Sequence, residues 1–166
     1  MKTIDELKNE KGEIDINGIK QIIPYDYPFL MVDKVLSLDK KKIIAIKNVA
    51  ANEEYFKGHF VGFPILPGAL MVEGLGQSAT LLVRYNLENH YEKEILAYKI
   101  KETKFSAPVF PGDTMKYEVA LMGQDDRGAM LQGKISVNDK TVAECSLMLA
   151  VVDRKEFRSK YSSVYK

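Results

Sequence analysis

Two hydrophobic periods divide this chain. Between Pro67 and about Leu87, the apolar residues Leu70, Met71, Leu75, Ala79, Leu82 and Val83 recur at three- and four-residue intervals. That spacing predicts an α-helix, and Ala69, Val72 and Leu81 widen its stripe enough to bury the helix on most sides. From Ile95 onward the period falls to two and predicts strands over 95–105, 114–122, 129–137 and 141–152. The links between them, among them Pro111-Gly112-Asp113 and Asn138-Asp139-Lys140, are short and polar. Such links suit antiparallel hairpins, since parallel crossovers need about a dozen residues or more. Upstream, strands are expected over 29–38 and 43–50, joined by the turn Asp39-Lys40-Lys41-Lys42.

Residues 1–23 read as a polar helical lead-in anchored by Ile4, Leu7, Ile14, Ile16, Ile19 and Ile22. Pro24-Tyr25-Asp26-Tyr27-Pro28 ends it, because proline disfavours helix at and before its own position. Residues 153–166 read as a basic, partly mobile tail. The whole, 1–166, is expected to be one α+β domain, a long central helix wrapped by an antiparallel sheet.

Composition narrows the function classes. The 46% hydrophobic and 28% charged residues are those of an ordinary globular protein. A net charge of +1 gives no reason to expect a nucleic acid or a membrane surface as partner. No apolar run approaches the roughly 20 residues that cross a bilayer. The charged start Met1-Lys2-Thr3-Ile4-Asp5-Glu6 is unlike a secretory signal, so a cytoplasmic location is expected. The one cysteine, Cys145, cannot form an internal disulfide, and its place in an alternating apolar run marks it as core.

The candidate chemistry lies in 58–73, Gly-His-Phe-Val-Gly-Phe-Pro-Ile-Leu-Pro-Gly-Ala-Leu-Met-Val-Glu. His59 can accept a proton near neutral pH, although a lone loop histidine also serves to cap a turn. The other histidine, His90, sits in a polar segment and reads as such a residue. Glu73 falls on the apolar helix, where a carboxylate must be paired, protonated or turned to a cavity; burial there would fit it to donate a proton. Gly68 falls where the first N–H groups of the helix are unsatisfied and can hold developing negative charge. Pro67 initiates the helix in any case. Gly74 and Gly76 within it suggest the close approach of another backbone. A base, an acid and an oxyanion donor in one segment suit proton abstraction beside a carbonyl.

These residues resemble a known family, the hot-dog-fold (3R)-3-hydroxyacyl-[acyl-carrier-protein] dehydratases of type II fatty acid synthesis. Residues 24–35, Pro-Tyr-Asp-Tyr-Pro-Phe-Leu-Met-Val-Asp-Lys-Val, are similar to its N-terminal signature, with Tyr25 where the family usually has His. Residues 52–60 match the approach to its catalytic histidine, and 64–73 with Gln77 match its helix start. Lys104-Phe105-Ser106-Ala107-Pro108-Val109, followed by Pro111-Gly112-Asp113, resembles a later strand and turn.

The resemblance implies a hot-dog fold, His59 as the base that removes the C2 proton, and Glu73 of a partner subunit as the acid that protonates the leaving hydroxyl. It implies the Gly68 amide as oxyanion donor, with Phe60, Pro67 and Gln77 beside the substrate. No metal or organic cofactor is implied. The expected partners are an acidic acyl carrier protein and a second copy of the chain, in a homodimer or a trimer of dimers. Lys101, Lys104, Arg154, Lys155 and Arg158 are candidates for carrier docking.

Val61-Gly62 after His-Phe resembles instead the related branch that also isomerises trans-2 to cis-3 double bonds, but Glu73 stands where that branch carries Asp. Gly74 and Gly76 replace larger residues and leave acyl chain length open. A thioesterase on the same fold and a non-catalytic acyl-thioester-binding protein are the remaining alternatives.

Overall fold

The computed structural model describes residues 2–165. Six strands, β1 (Lys34–Leu38), β2 (Lys42–Asn48), β3 (Lys93–Phe105), β4 (Thr114–Gln124), β5 (Gly128–Val137) and β6 (Lys140–Asp153), form one sheet. Their order is β1-β2-β4-β5-β6-β3 and every pairing is antiparallel. Three hairpins account for most of that order, and each turn has its own chemistry. Asp39 Oδ1 accepts from the N–H groups of Lys41 and Lys42, and Asp125 Oδ1 does the same for Arg127 and Gly128. Asn138 and Asp139 both take positive φ, 48° and 61°, the pattern of a two-residue type I′ hairpin between β5 and β6.

Helix α2 (Gly68–Tyr85) lies against β2, β4, β5 and β6. Its Met71, Leu75, Ala79, Leu82 and Val83 meet the inward positions of the sheet, among them Ile43, Tyr117, Val119, Leu131 and Cys145. This is the α+β arrangement expected from the two periods, and the hot-dog fold that the family resemblance implies. The helix is buried on nearly all sides from Gln77 to Arg84, as its wide stripe requires. Burial pushes the Cys145 thiol up to about 11, so it is expected to react with a thiol reagent at pH 8 only after denaturant opens the core.

The two helix glycines differ. A Cβ on Gly74 would overlap the phenol of Tyr117, which is fully buried, whereas a Cβ on Gly76 would meet nothing within 4 Å. The close approach expected of a backbone is therefore made by a side chain, and at Gly74 alone. Gly76→Ala is expected to stabilise by up to about 1 kcal/mol through helix propensity. Gly74→Ala is expected to destabilise by about 1–3 kcal/mol through overpacking. Urea denaturation of the two variants checks the opposite signs.

Four expectations need correction. The first strand begins at Lys34, not at 29, because the backbone of 29–31 is bound by the side chain of Gln77 instead of a neighbouring strand. The lead-in is not one helix: a 3₁₀ turn (Asp5–Leu7) and α1 (Ile16–Ile22) are separated by a turn at Gly12 and a β-bridge from Ile14 to Val35. Asp15 caps α1 by accepting from Gly18 N–H, which leaves Ile16 on the exposed first turn rather than anchored. The tail is ordered as α3 (Arg154–Tyr161), capped by Asp153 and tied to β3 by Arg154 and Arg158 on Glu94.

Candidate active site

His59 stands at the end of an arm whose root is an ion-pair network. Lys47, nearly buried at the end of β2, lies 2.7 Å from Glu53 and 3.4 Å from Asp33, and donates to the Asn48 carbonyl. Asp33 in turn accepts from the Asn48 N–H. Glu53 precedes a 3₁₀ turn (Glu54–Lys57), and the Tyr55 carbonyl accepts from His59 N–H at 3.0 Å. Beyond it the loop folds back through paired Phe60–Phe63 backbone bonds, with Gly62 at φ 77°. That angle is cheap only for glycine, so Val61-Gly62 acts as a turn.

The half-buried His59 ring lies between two restraints. It stacks on Phe60 at 4.0 Å, and Nδ1 is 2.8 Å from the Ile65 carbonyl oxygen. A carbonyl can only accept, so Nδ1 carries a proton, and in the neutral ring it is Nε2 that presents the bare lone pair. The tautomer of the base is set by the backbone six residues on.

Gly68 opens α2, with Pro67 as its N-cap rather than its first helical residue, and Pro67 supplies no side-chain cap. The N–H groups of Gly68 and Ala69 have no acceptor among the described residues, while Leu70 N–H already donates to the Pro67 carbonyl. A Cβ on Gly68 would lie 3.0 Å from the Phe105 ring, so glycine here also lets the end of β3 pack against the helix start.

Gln77, fully buried, clamps the next turn. Its Oε1 accepts from Met31 N–H at 2.8 Å, and its Nε2 donates to the Phe29 carbonyl at 2.8 Å and to Glu73 Oε1 at 2.9 Å. Glu73 is half-buried, not enclosed by this chain as the helix pattern suggested. Tyr25, half-buried, has its phenol raised by burial and then by the nearby Glu73 carboxylate.

Within the chain, His59 and Glu73 share no hydrogen bond: one is tied to Ile65 and the other to Gln77. Phe60, more than half exposed, covers one face of His59, and Pro67 only sets the helix entry. Sequence reasoning missed the Ile65 carbonyl, the Lys47 network, and Tyr117 beneath Gly74. Only the last left a trace, a glycine in a helix opposite an aromatic on an inward strand position. Arg154 and Arg158 are committed to Glu94, while Lys101, Lys104 and Lys155 are exposed and without a salt bridge among the described residues. Among those residues no cluster of three or more His, Cys, Asp or Glu is placed to hold a metal, and no helix is long and apolar enough to cross a membrane.

The FabA-like domain family matches residues 23–146. The chain belongs to this family of hot-dog-fold 3-hydroxyacyl-[acyl-carrier-protein] dehydratases. It is 38% identical over 143 residues to the 3-hydroxyacyl-[acyl-carrier-protein] dehydratase FabZ of Solibacter usitatus, covering 86% of this chain and 88% of that one. The FabZ of Chlamydia trachomatis serovar L2 is 40% identical over 152 residues, 89% and 98% of the two chains. Among solved structures, the dehydratase heterocomplex ApeI:P from Xenorhabdus doucetiae superposes with a TM-score of 0.73 at 14% identity, over 85% of this chain and 95% of that one. A Haemophilus influenzae thioesterase gives 0.63 at 15% identity, over 84% and 92%. These two show the fold alone.

Proposed function

We infer that the chain, as one dehydratase domain, removes water from a 3-hydroxyacyl thioester carried on an acyl carrier protein and releases the trans-2-enoyl thioester. The observation that carries this reading is the bare Nε2 of His59, fixed by the Nδ1–H bond to Ile65. The thioester carbonyl accepts from the Gly68 N–H, which stabilises enolate-like charge. His59 Nε2 takes the C2 proton, the C2–H electron pair forms the C2=C3 bond, and the C3–O bond breaks. Glu73 gives its proton to the departing hydroxyl, which leaves as water. Because Gln77 donates to Oε1, the acidic proton rides on Oε2, the oxygen free to face substrate. Proton return from His59 to Glu73 through solvent resets the site. Phe60 and Pro67 line the approach.

The site is completed by a second copy. β3 is a sheet edge, and from 97 to 105 it is exposed on both faces, including Tyr98, Ile100 and Phe105. An exposed apolar edge calls for pairing, and its end lies against Gly68. A β3–β3 dimer therefore brings the partner's chain beside the helix start and supports Glu73 acting across the interface. Ile100→Glu, placing like charges along that edge, is expected to give folded monomers in sedimentation analysis with activity lost. Unchanged dimers would remove β3 as the interface.

Lys101 and Lys104 flank the same end of β3 and, with Lys155, suit an acidic carrier. The same reading places the enzyme in the cytoplasm, where a free thiol such as Cys145 is at home. Wild-type protein given carrier-bound 3-hydroxyacyl chains of several lengths is expected to yield trans-2-enoyl product alone. A cis-3 product would favour the isomerising branch, and released thiol a thioesterase.

A further inference from the structure

Of the two glycines inside α2, Gly74 is accounted for by the Tyr117 phenol, but Gly76 by no contact among the described residues. A glycine in a helix interior costs about 1 kcal/mol against alanine, yet a Cβ on Gly76 would meet nothing within 4 Å. The missing side chain leaves room that this chain does not fill. Gly76 also belongs to a stripe. Ala69 is exposed, Val72, Glu73 and Gly76 are half-buried, and their i, i+3, i+4, i+7 spacing puts all of them on one face of the helix. Apart from Glu73, the members of that stripe are apolar.

The stripe ends at Gly76. From Gln77 to Arg84 every residue of α2 is buried. Gln77 binds the backbone of Phe29 and Met31, so the segment 29–31 covers the neighbouring face. Thr80, next after Gly76 on the same face, is 5% exposed and donates its hydroxyl to the Gly76 carbonyl at 2.9 Å. At the far end of the helix, Arg84 donates to the His90 and Lys93 carbonyls. The open face is therefore a short groove that begins beside Glu73 and is closed beyond Gly76 by Thr80.

We propose that Gly76 determines which acyl chains are accepted: its missing side chain opens the groove to the carbons beyond C3 of long 3-hydroxyacyl substrates. The inference rests on the dehydratase reading, in which the Glu73 carboxyl meets the C3 hydroxyl, so the carbons that follow C3 lie against the same helix face. Gly76 stands one turn further on, about 4.5 Å along the axis. Helical side chains lean toward the helix N-terminus. A side chain at 76 would therefore lie back toward Glu73, in the path of the acyl chain. A 3-hydroxybutyryl group ends just past C3 and does not need this space, whereas a 3-hydroxydecanoyl group must occupy it.

The test compares kcat/KM for 3-hydroxydecanoyl and 3-hydroxybutyryl chains on the same carrier in wild type, Gly76→Ala and Gly76→Leu. The decanoyl-to-butyryl ratio is expected to fall at least about tenfold in Gly76→Leu, the scale of discrimination that a misfit of one methylene or more gives in an apolar pocket. It is expected to fall by less in Gly76→Ala. That variant is expected to be more stable than wild type, so a fall in its ratio is not a folding defect. Sedimentation of both variants is expected to show the wild-type assembly. Loss of that assembly in Gly76→Leu would assign the space to the partner subunit and overturn the proposal. A ratio unchanged in both variants, with turnover of the two chains rising or falling together, would overturn it as well. Wild-type protein inactive on both chains would deny the dehydratase reading itself, and the role of the groove with it.

Discussion

His59→Ala is expected to lower kcat for dehydration by about 10²–10⁴-fold, the usual contribution of a positioned general base. The His59 ring is half-buried on the loop, stacked on Phe60 and hydrogen-bonded only to Ile65, so its removal should leave the denaturation midpoint nearly unchanged. Glu73→Gln is expected to cause a loss of similar size with a different signature. The amide keeps the shape of the side chain and can still face Gln77, but it has no proton to give to the hydroxyl. A substrate analogue with a better leaving group at C3 should therefore restore turnover in Glu73→Gln and not in His59→Ala. Equal rescue of both would deny the division of roles between base and acid.

Lys47→Met should cost about 3–5 kcal/mol of stability, the range for breaking a buried ion pair from one side. Lys47 and Glu53 have side chains only 9% and 12% exposed, and Asp33 is the third member. Removing the cation leaves two carboxylates facing each other without compensation. Replacing all three by apolar residues of similar volume is expected to be far milder, since desolvation offsets much of a buried pair's attraction. Because Glu53 opens the arm that carries His59, the single variant should also lose activity at temperatures well below its unfolding midpoint. Urea unfolding together with a temperature series of kcat separates the two effects.

How far the sequence showed this molecule depends on which interactions are periodic. Helix α2 and strands β4, β5 and β6 each repeat one short spacing many times, and each repeat buries apolar surface in the same direction. Their existence was therefore plain from the spacing of apolar residues. The apolar run 29–32 carries the same residue types, yet Gln77, nearly fifty positions away, binds the backbone of Phe29 and Met31 and keeps it out of the sheet. No local pattern encodes such a contact. The tail was legible in principle: Asp153 and Glu156 stand three apart at a helix start, and Asp153 accepts from the Glu156 N–H. Basic composition outweighed that signal.

At the site, His59, Gly68, Glu73 and Gln77 were visible as residues, while their geometry was not. The proton on Nδ1 of His59 follows from a carbonyl that any residue at 65 could supply. The orientation of Gln77 follows from a donor at Met31 and acceptors at Phe29 and Glu73. Arg84, buried in the run Leu81-Leu82-Val83-Arg84-Tyr85, reads as an interruption of the apolar face until its carbonyl partners are seen.

The central claim, a base from one protomer and an acid from its partner acting on one thioester, is tested most directly by subunit mixing. His59→Ala and Glu73→Gln proteins, each nearly inactive alone, are unfolded together, refolded and assayed on a 3-hydroxyacyl carrier substrate. Random pairing makes half the dimers mixed with one intact site in each, so recovery of about a quarter of wild-type activity is expected. A mixture no more active than its separate components, from dimers shown to have exchanged subunits, would contradict the shared site.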